Sequence, residues 1–199
     1  MGIVYSDIAV SADGFAAGPR QSEQTPMGEI AEGALHAWMF EAYEDNKAEV
    51  DGILDSGATI MGRNMFGPVR GEWDRDWRGW WGDEPPYHGP VFVLTHFAHE
   101  PIEMAGGTTF HFVTEGIEVA LERARAAAGE RNVSVAGGAS TVNQFLAAGL
   151  LEELRLHVTA SILGSGERLF EGVPPQSLER VSVRATSLVT HITYRPLRP

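Results

Sequence analysis

The sequence predicts an α/β fold of three layers, α/β/α, around a mixed, mostly parallel sheet whose C-terminal strands run antiparallel. Three observations carry that prediction. Apolar runs with little polar interruption recur at the start of the chain and at 57–61, 90–95 and 132–136, as in strands covered on both faces. Stretches with helical spacing stand between several of them, the βαβ arrangement of a parallel sheet. The last third alternates apolar and polar residues, the period of a strand with one less apolar face.

Met1 to Ser11 reads as the first strand, with Ile3, Val4, Tyr5, Ile8, Ala9 and Val10 as its apolar run, and it ends in the turn sequence Ser11-Ala12-Asp13-Gly14. Residues 16–29 are rich in Gly, Pro, Gln, Ser and Thr and predict a surface loop. Leu35, Trp38, Met39 and Ala42 then give helical spacing from Ile30 to Val50, with Glu41, Glu44, Asp45 and Glu49 on a solvated face. A short strand over 57–61 runs into Gly62-Arg63-Asn64-Met65-Phe66, a helix start. Residues 68–90 hold four of the five tryptophans. Strands follow at 90–95 and 109–114, and a helix from Ile117 to Ala128 with Ile117, Leu121, Ala124 and Ala128 on one stripe. The strand at 132–136 leads through Gly137-Gly138-Ala139-Ser140-Thr141 into a helix that stops at Gly149, a C′ glycine. Leu154 to Ile162 alternates, and so do 179–185 and 187–195, which predict a hairpin. With no internal repeat and no long linker, one domain over 1–199 is expected.

The composition narrows the function. Among 199 residues are 27 acidic and 15 basic ones, a net charge of -12. That balance argues against a nucleic-acid surface, which needs a dense basic patch. The chain has no cysteine, which excludes a disulfide scaffold or a thiolate metal site. The histidines at 36, 88, 96, 99, 111, 157 and 191 show no metal-ligand spacing on one helix, so no metal is expected. The first 15 residues have neither a basic n-region nor a long apolar h-region, and nothing reads as a membrane span. A soluble cytoplasmic domain with no membrane partner is the expectation.

Three strand ends can carry chemistry. Gly137-Gly138 allows close backbone approach, and the helix that follows aims free N–H groups and its dipole at an anion. Ser140 or Thr141 can cap that helix and donate to a phosphate oxygen; an ordinary strand-to-helix turn with a hydroxyl cap uses the same residues. At Gly62-Arg63-Asn64 the helix start carries an arginine able to pair with a phosphate or stack on an adenine, or simply to solvate a helix end. Thr95 and His96 end a third strand. Ligands of open α/β sheets bind outside the carboxyl ends of the strands, so these three ends predict one dinucleotide-sized groove. The Rossmann fingerprint and the P-loop lysine are both missing from it.

Five motifs in register give the arrangement a family. Ser11-Ala12-Asp13-Gly14, Met61-Gly62-Arg63-Asn64-Met65-Phe66, Val93-Leu94-Thr95-His96, Val135-Ala136-Gly137-Gly138-Ala139-Ser140-Thr141 and Ile162-Leu163-Gly164-Ser165-Gly166-Glu167-Arg168-Leu169-Phe170 occur in this order. The chain resembles the dihydrofolate-reductase-like family, in the branch of the C-terminal reductase domain of the bifunctional riboflavin-biosynthesis deaminase-reductase. Two positions depart from that pattern: Ala136 stands for the first glycine of a triplet, and Met65 for a threonine.

The resemblance implies an NADPH-dependent reductase of a small heterocyclic or carbonyl-like substrate, commonly a homodimer. It implies that Gly62, Arg63 and Asn64 hold the 2′-phosphate side, with Thr95 and His96 around the adenosine. Gly137, Gly138, Ala139, Ser140 and Thr141 would take the diphosphate; Ala9 and Val10, with the turn Asp13-Gly14-Phe15, would border the nicotinamide. No catalytic residue is assigned. Glu29, Glu32 and His36 lie where dihydrofolate reductases carry their pterin-binding acid, but each also reads as a solvated helix residue. The rival reading is a non-catalytic nucleotide-binding or interaction protein that keeps the cofactor groove. The tryptophans at 73–81 read as the wall of a substrate pocket, a dimer contact, or a long loop packed back on the domain.

Overall fold

In the computed structural model, which describes residues 2–68 and 70–197, the first apolar run forms strand β1 (Val4–Val10), buried at every position. Along it the side chains alternate. Val4, Ile8 and Val10 enter the larger apolar cluster, whereas Tyr5 turns its hydroxyl to the C-terminal carbonyls of a helix on the other face. Both faces are thus covered, which is why the run lacks the polar alternation of a half-exposed strand.

After β1 come β2 (Phe15–Ala17), α1 (Ala37–Phe40), α2 (Tyr43–Ile53), β3 (Ala58–Gly62), α3 (Arg63–Phe66) and β4 (Pro90–Leu94). β5 (Ile102–Glu103), β6 (Thr109–Val113), α4 (Ile117–Ala128), β7 (Val133–Gly137) and α5 (Ala139–Ala147) follow. The chain closes with β8 (Glu153–Thr159), β9 (Glu167–Arg168), β10 (Leu178–Ala185) and β11 (Val189–Pro196). The main sheet has the order β10-β11-β8-β1-β7-β3-β4-β6-β5, and β2 pairs with β9 apart from it. The six strands from β8 to β6 are parallel. Among the described residues, antiparallel pairs of this sheet lie only at its two edges, β11 on β8 and β10 on β11 at one end and β5 on β6 at the other. The predicted mixed α/β sheet with a C-terminal antiparallel hairpin is the one observed.

The helix expected from Ile30 to Val50 is the main correction. Its first half is a run of turns, and the helical part is split into α1 and α2. Gly33 takes a left-handed φ of 73°, and the Asn46 amide donates to the carbonyls of Trp38 and Ala42 at the break. Side-chain donors therefore satisfy carbonyls that a continuous helix would have bonded itself. The apolar spacing still reports burial, since Leu35 and Trp38 are in the core. The acidic face is only partly solvated, because Glu49 forms an ion pair with Arg184 of β10.

Candidate active site

A cavity of about 850 Å³ opens beyond the carboxyl ends of the parallel strands, within the size range of small-molecule and cofactor sites. Ala9, Gly62, Arg63, Asn64, Thr95, His96, Gly138, Ala139, Ser140 and Thr141 all line it. The three strand ends read from the sequence therefore meet in one groove. Val10, Asp13, Gly14, Phe15 and Gly137 are not among its lining residues.

Val10 and Phe15 are buried in the core, and Asp13, Gly14 and Gly137 set backbone turns. The Asp13 carboxylate accepts from the Ser11 hydroxyl at 2.6 Å and from the backbone N–H groups of Leu163 and Gly164 at 3.0 and 2.7 Å. These donors, Ser11 first, pull its pKa down to about 2. Asp13 thus ties the turn after β1 to the Ile162–Phe170 segment. Gly14 supplies a left-handed turn, φ 86°. Gly137 carries the positive φ of its loop, 120°; Ala136 does not need one, so alanine is tolerated there.

At α5 the cap is Gly138, with no side-chain cap hydrogen bond. Ser140 and Thr141 lie in the first turn and do not cap it, which corrects the sequence expectation. Thr141 and Val142 N–H donate to the Gly138 carbonyl, so the N–H groups ahead of any helical acceptor are those of Ala139 and Ser140, and Ser140 is exposed. Gly62 sits against this turn: a Cβ placed on it would stand 2.5 Å from Thr141 Oγ1. Only glycine lets the end of β3 approach the helix this closely.

Arg63 is buried, not splayed into solvent. Its guanidinium donates to Thr95 Oγ1 at 2.9 Å and to the Gly71 carbonyl at 3.1 Å, and stacks 3.2 Å from the Trp73 ring centroid. Its Nε has no hydrogen-bond partner. Arg70, which no motif marked, lines the same cavity. Burial lowers the Arg63 pKa, and the neighbouring Arg70 charge lowers it further. Among the described residues these two are the only Lys or Arg lining the cavity, a local positive pole in a chain of net charge -12.

The other end of the cavity is more apolar. Trp38, Met39, Val50, Ile53 and Leu54 surround Asp7, His36 and His157. Glu29 is exposed and paired with Arg20, and Glu32 is exposed; neither lines the cavity. His36 does, and burial followed by the proximity of His157 lowers its pKa. Asp7 and His157 escaped the sequence reading, although Asp7 is the one charged residue in the first apolar run. The Trp-rich segment divides. Trp73 and Trp77 pack against the second apolar cluster around Phe66, their indole N–H groups bonded to the carbonyls of Phe97 and Phe66; Trp80 and Trp81 line the cavity.

Among the described residues no three His, Cys, Asp or Glu side chains are grouped to hold a metal, and no helix is long and apolar enough to cross a membrane.

The family model of the RibD C-terminal domain matches residues 3–192. The chain belongs to that family. No curated protein matches the chain at a significant level. Among solved structures, a protein from Shewanella sp. PV-4 provisionally assigned to riboflavin biosynthesis superposes with a TM-score of 0.62 at 22% identity, over 98% of this chain and 99% of that one. A pyrimidine reductase-like protein from Corynebacterium diphtheriae superposes at 0.60 with 13% identity, over 100% of this chain and 93% of that one. Acinetobacter baumannii RibD gives 0.60 at 18% identity, and there this chain spans only 59% of the longer protein. The RibD C-terminal fold is thus shared from end to end at low identity, and the cavity described above lies within the matched span of this RibD C-terminal domain.

Proposed function

We propose that this RibD C-terminal domain is an NADPH-dependent reductase of a small heterocyclic or carbonyl-like substrate. The observation that carries the reading is the meeting of Arg63, Arg70 and the N-terminus of α5 in one cavity. An acidic chain that gathers two guanidiniums and a helix N-terminus in one groove offers a local site for a polyanion. The residues suit the group: Arg63 has a buried Nε without a partner, and the N–H groups of Ala139 and Ser140 precede the first ones of α5 that have a helical acceptor.

In this reading Arg63 and Arg70, with Gly62, Asn64, Thr95 and His96, hold the 2′-phosphate and adenosine. Gly138, Ala139, Ser140 and Thr141 hold the diphosphate, and Gly137 sets the backbone that presents them. Ala9 borders the nicotinamide, while Val10, Asp13, Gly14 and Phe15 support it from behind. Bound NADPH supplies a hydride. Among the described residues the cavity offers no Lys or Arg besides Arg63 and Arg70 for a substrate phosphate. That favours a heterocycle or a carbonyl compound without a phosphate group, seated among Trp38, Met39, Ile53 and Leu54.

The test is titration of the protein with NADPH and NADH, followed by nucleotide fluorescence. Micromolar binding with a preference for NADPH is expected, and oxidation of NADPH by at least one compound from a panel of dihydrofolate, pyrimidine intermediates and simple carbonyls. No NADPH binding would overturn the reading. Tight binding with no turnover across the panel would favour the rival, a nucleotide-binding protein without reductase chemistry.

A further inference from the structure

Four polar side chains from four elements form one buried hydrogen-bonded row beneath the apolar end of the cavity. His157 Nε2 lies 3.2 Å from Asp7 Oδ1, His157 Nδ1 lies 2.8 Å from His191 Nδ1, and His191 Nε2 lies 2.9 Å from Asn46 Oδ1. Strand register brings them together: His191 pairs directly with His157, and Asp7 lies two residues before the partner of His157 on β1. Trp38 covers both imidazoles, with ring centroids at 4.6 and 5.1 Å.

The row fixes its own protons. The Asn46 amide nitrogen faces two carbonyls, of Trp38 and Ala42; its Oδ1 must therefore accept, and His191 Nε2 must donate. Burial, and then the proximity of His157, lowers the His191 pKa to about 4, so at neutral pH His191 holds one proton and its Nδ1 accepts from His157 Nδ1. That leaves His157 Nε2 facing a carboxylate oxygen. Two acceptors 3.2 Å apart would repel, so a further proton lies between them, on His157 or on Asp7. Arg155 donates to the other Asp7 oxygen at 3.4 Å while covering the Tyr5 ring, and to Glu153 at 2.7 Å. Among the described residues the other charged or titratable groups facing the row are Tyr5, whose pKa burial and then the Asp7 charge raise, Glu49, Arg184 and His36.

We infer that the Asp7–His157 pair is the proton donor of the reaction, with His191 and Asn46 as positioning residues that hold the tautomer. This rests on the reductase reading and assigns its missing acid. Both Asp7 and His157 line the main cavity. The substrate carbon accepts a hydride, the π electron pair of its C=N or C=O bond moves to the heteroatom, and that atom takes the proton from the pair. The pair, short of one proton, is refilled from water. A second cavity of about 220 Å³ between α2 and the edge of the sheet also reaches Asp7, His157 and His191 and offers the route. The substrate class follows: the reduced bond ends in nitrogen or oxygen, and that atom faces β1 and β8.

The test uses the full chain labelled with ¹⁵N and ¹³C. One proton is expected on the pair in the folded protein, seen either as two protonated ring nitrogens on His157 or as a protonated Asp7 carboxyl. An ionised Asp7 opposite a neutral His157 with bare Nε2 would overturn the proposal, whether or not NADPH binds. In the NADPH-loaded protein, Asp7→Asn and His157→Asn should leave nucleotide affinity within about twofold and lower kcat about 100-fold or more, the range of a general acid. Unchanged kcat and pH profile in folded variants would overturn the donor while leaving the reductase reading intact. His191→Gln keeps both members of the pair and guards against a folding failure of the other two. It should shift the pH profile of kcat with little change in KM, and no shift would count against the row.

Discussion

Thr141 Oγ1 occupies the place where a side chain at position 62 would have to begin. A Cβ on Gly62 would lie 2.5 Å from that oxygen and 3.8 Å from Thr141 Cβ. Gly62→Ala is therefore expected to destabilise the fold by about 1–3 kcal/mol, the usual cost of overpacking. It should also weaken nucleotide binding by moving the first turn of α5. Removing the clashing atom in the double variant Gly62→Ala/Thr141→Ala should recover most of the lost stability, since residues in contact are not additive. Urea unfolding of the two single variants and the double closes the cycle; additive losses would show that the contact is not the cause.

Arg63 and Arg70 contribute to the same anion site by different means. Arg63 is built in, bonded to Thr95 and Gly71 and stacked on Trp73, so Arg63→Ala removes structure together with charge. Arg70 is exposed, and Arg70→Ala reads charge alone. Arg70→Ala should raise the Kd for NADPH about tenfold, or about 1.4 kcal/mol, leave NADH within about twofold, and keep the melting temperature unchanged. Arg63→Ala should lose more affinity and some stability. Equal loss of NADPH and NADH in Arg70→Ala would place the 2′-phosphate elsewhere.

The exposed edge of the sheet bears on assembly. β10 is the outermost strand, and Val181 and Val183 on it are 46% and 52% exposed. An unpaired edge with apolar side chains is a template for another strand, and we propose that two copies pair along it to form a homodimer. Light scattering at micromolar concentration should report a dimer for the wild type and a monomer for Val183→Lys. A monomeric wild type would end this proposal.

What was legible in the sequence follows from what is local. β1, β3, β4 and β7 announced themselves because each is buried on both faces within a few residues, and Gly62, Thr95 and Gly138 could be read because strand ends line an α/β crevice. The break between α1 and α2 was hidden, because it depends on Asn46 reaching back to two carbonyls. Asp7 and His157 are 150 positions apart and meet only through the register of β1 on β8, which no local pattern encodes. Arg70 lies in an irregular segment with no periodicity to mark it. The Asp13 carboxylate is bonded by Ser11, Leu163 and Gly164, and the last two lie 150 or more positions away, beyond any local pattern.

Acid should weaken the fold over two pH windows with separate causes. Burial holds His191 neutral, with a pKa near 4 against 6.5 for the free side chain. Below pH 6.5 the unfolded chain binds a proton that the fold refuses, so stability falls as pH drops from 6.5 to 4. His36, also lowered by burial, adds to this loss with the same sign. Asp13 has a folded pKa of about 2 against 3.8, so its contribution is complete above pH 3.8 and disappears as pH falls from there towards 2. His191→Gln should flatten the upper window in part, leaving the share due to His36. Asp13→Asn should lower stability at pH 7 and flatten the lower window only. Urea midpoints from pH 7.5 to 2.5 for the three proteins measure both, and a wild type equally stable at pH 6.5 and 4.5 would contradict a buried neutral His191.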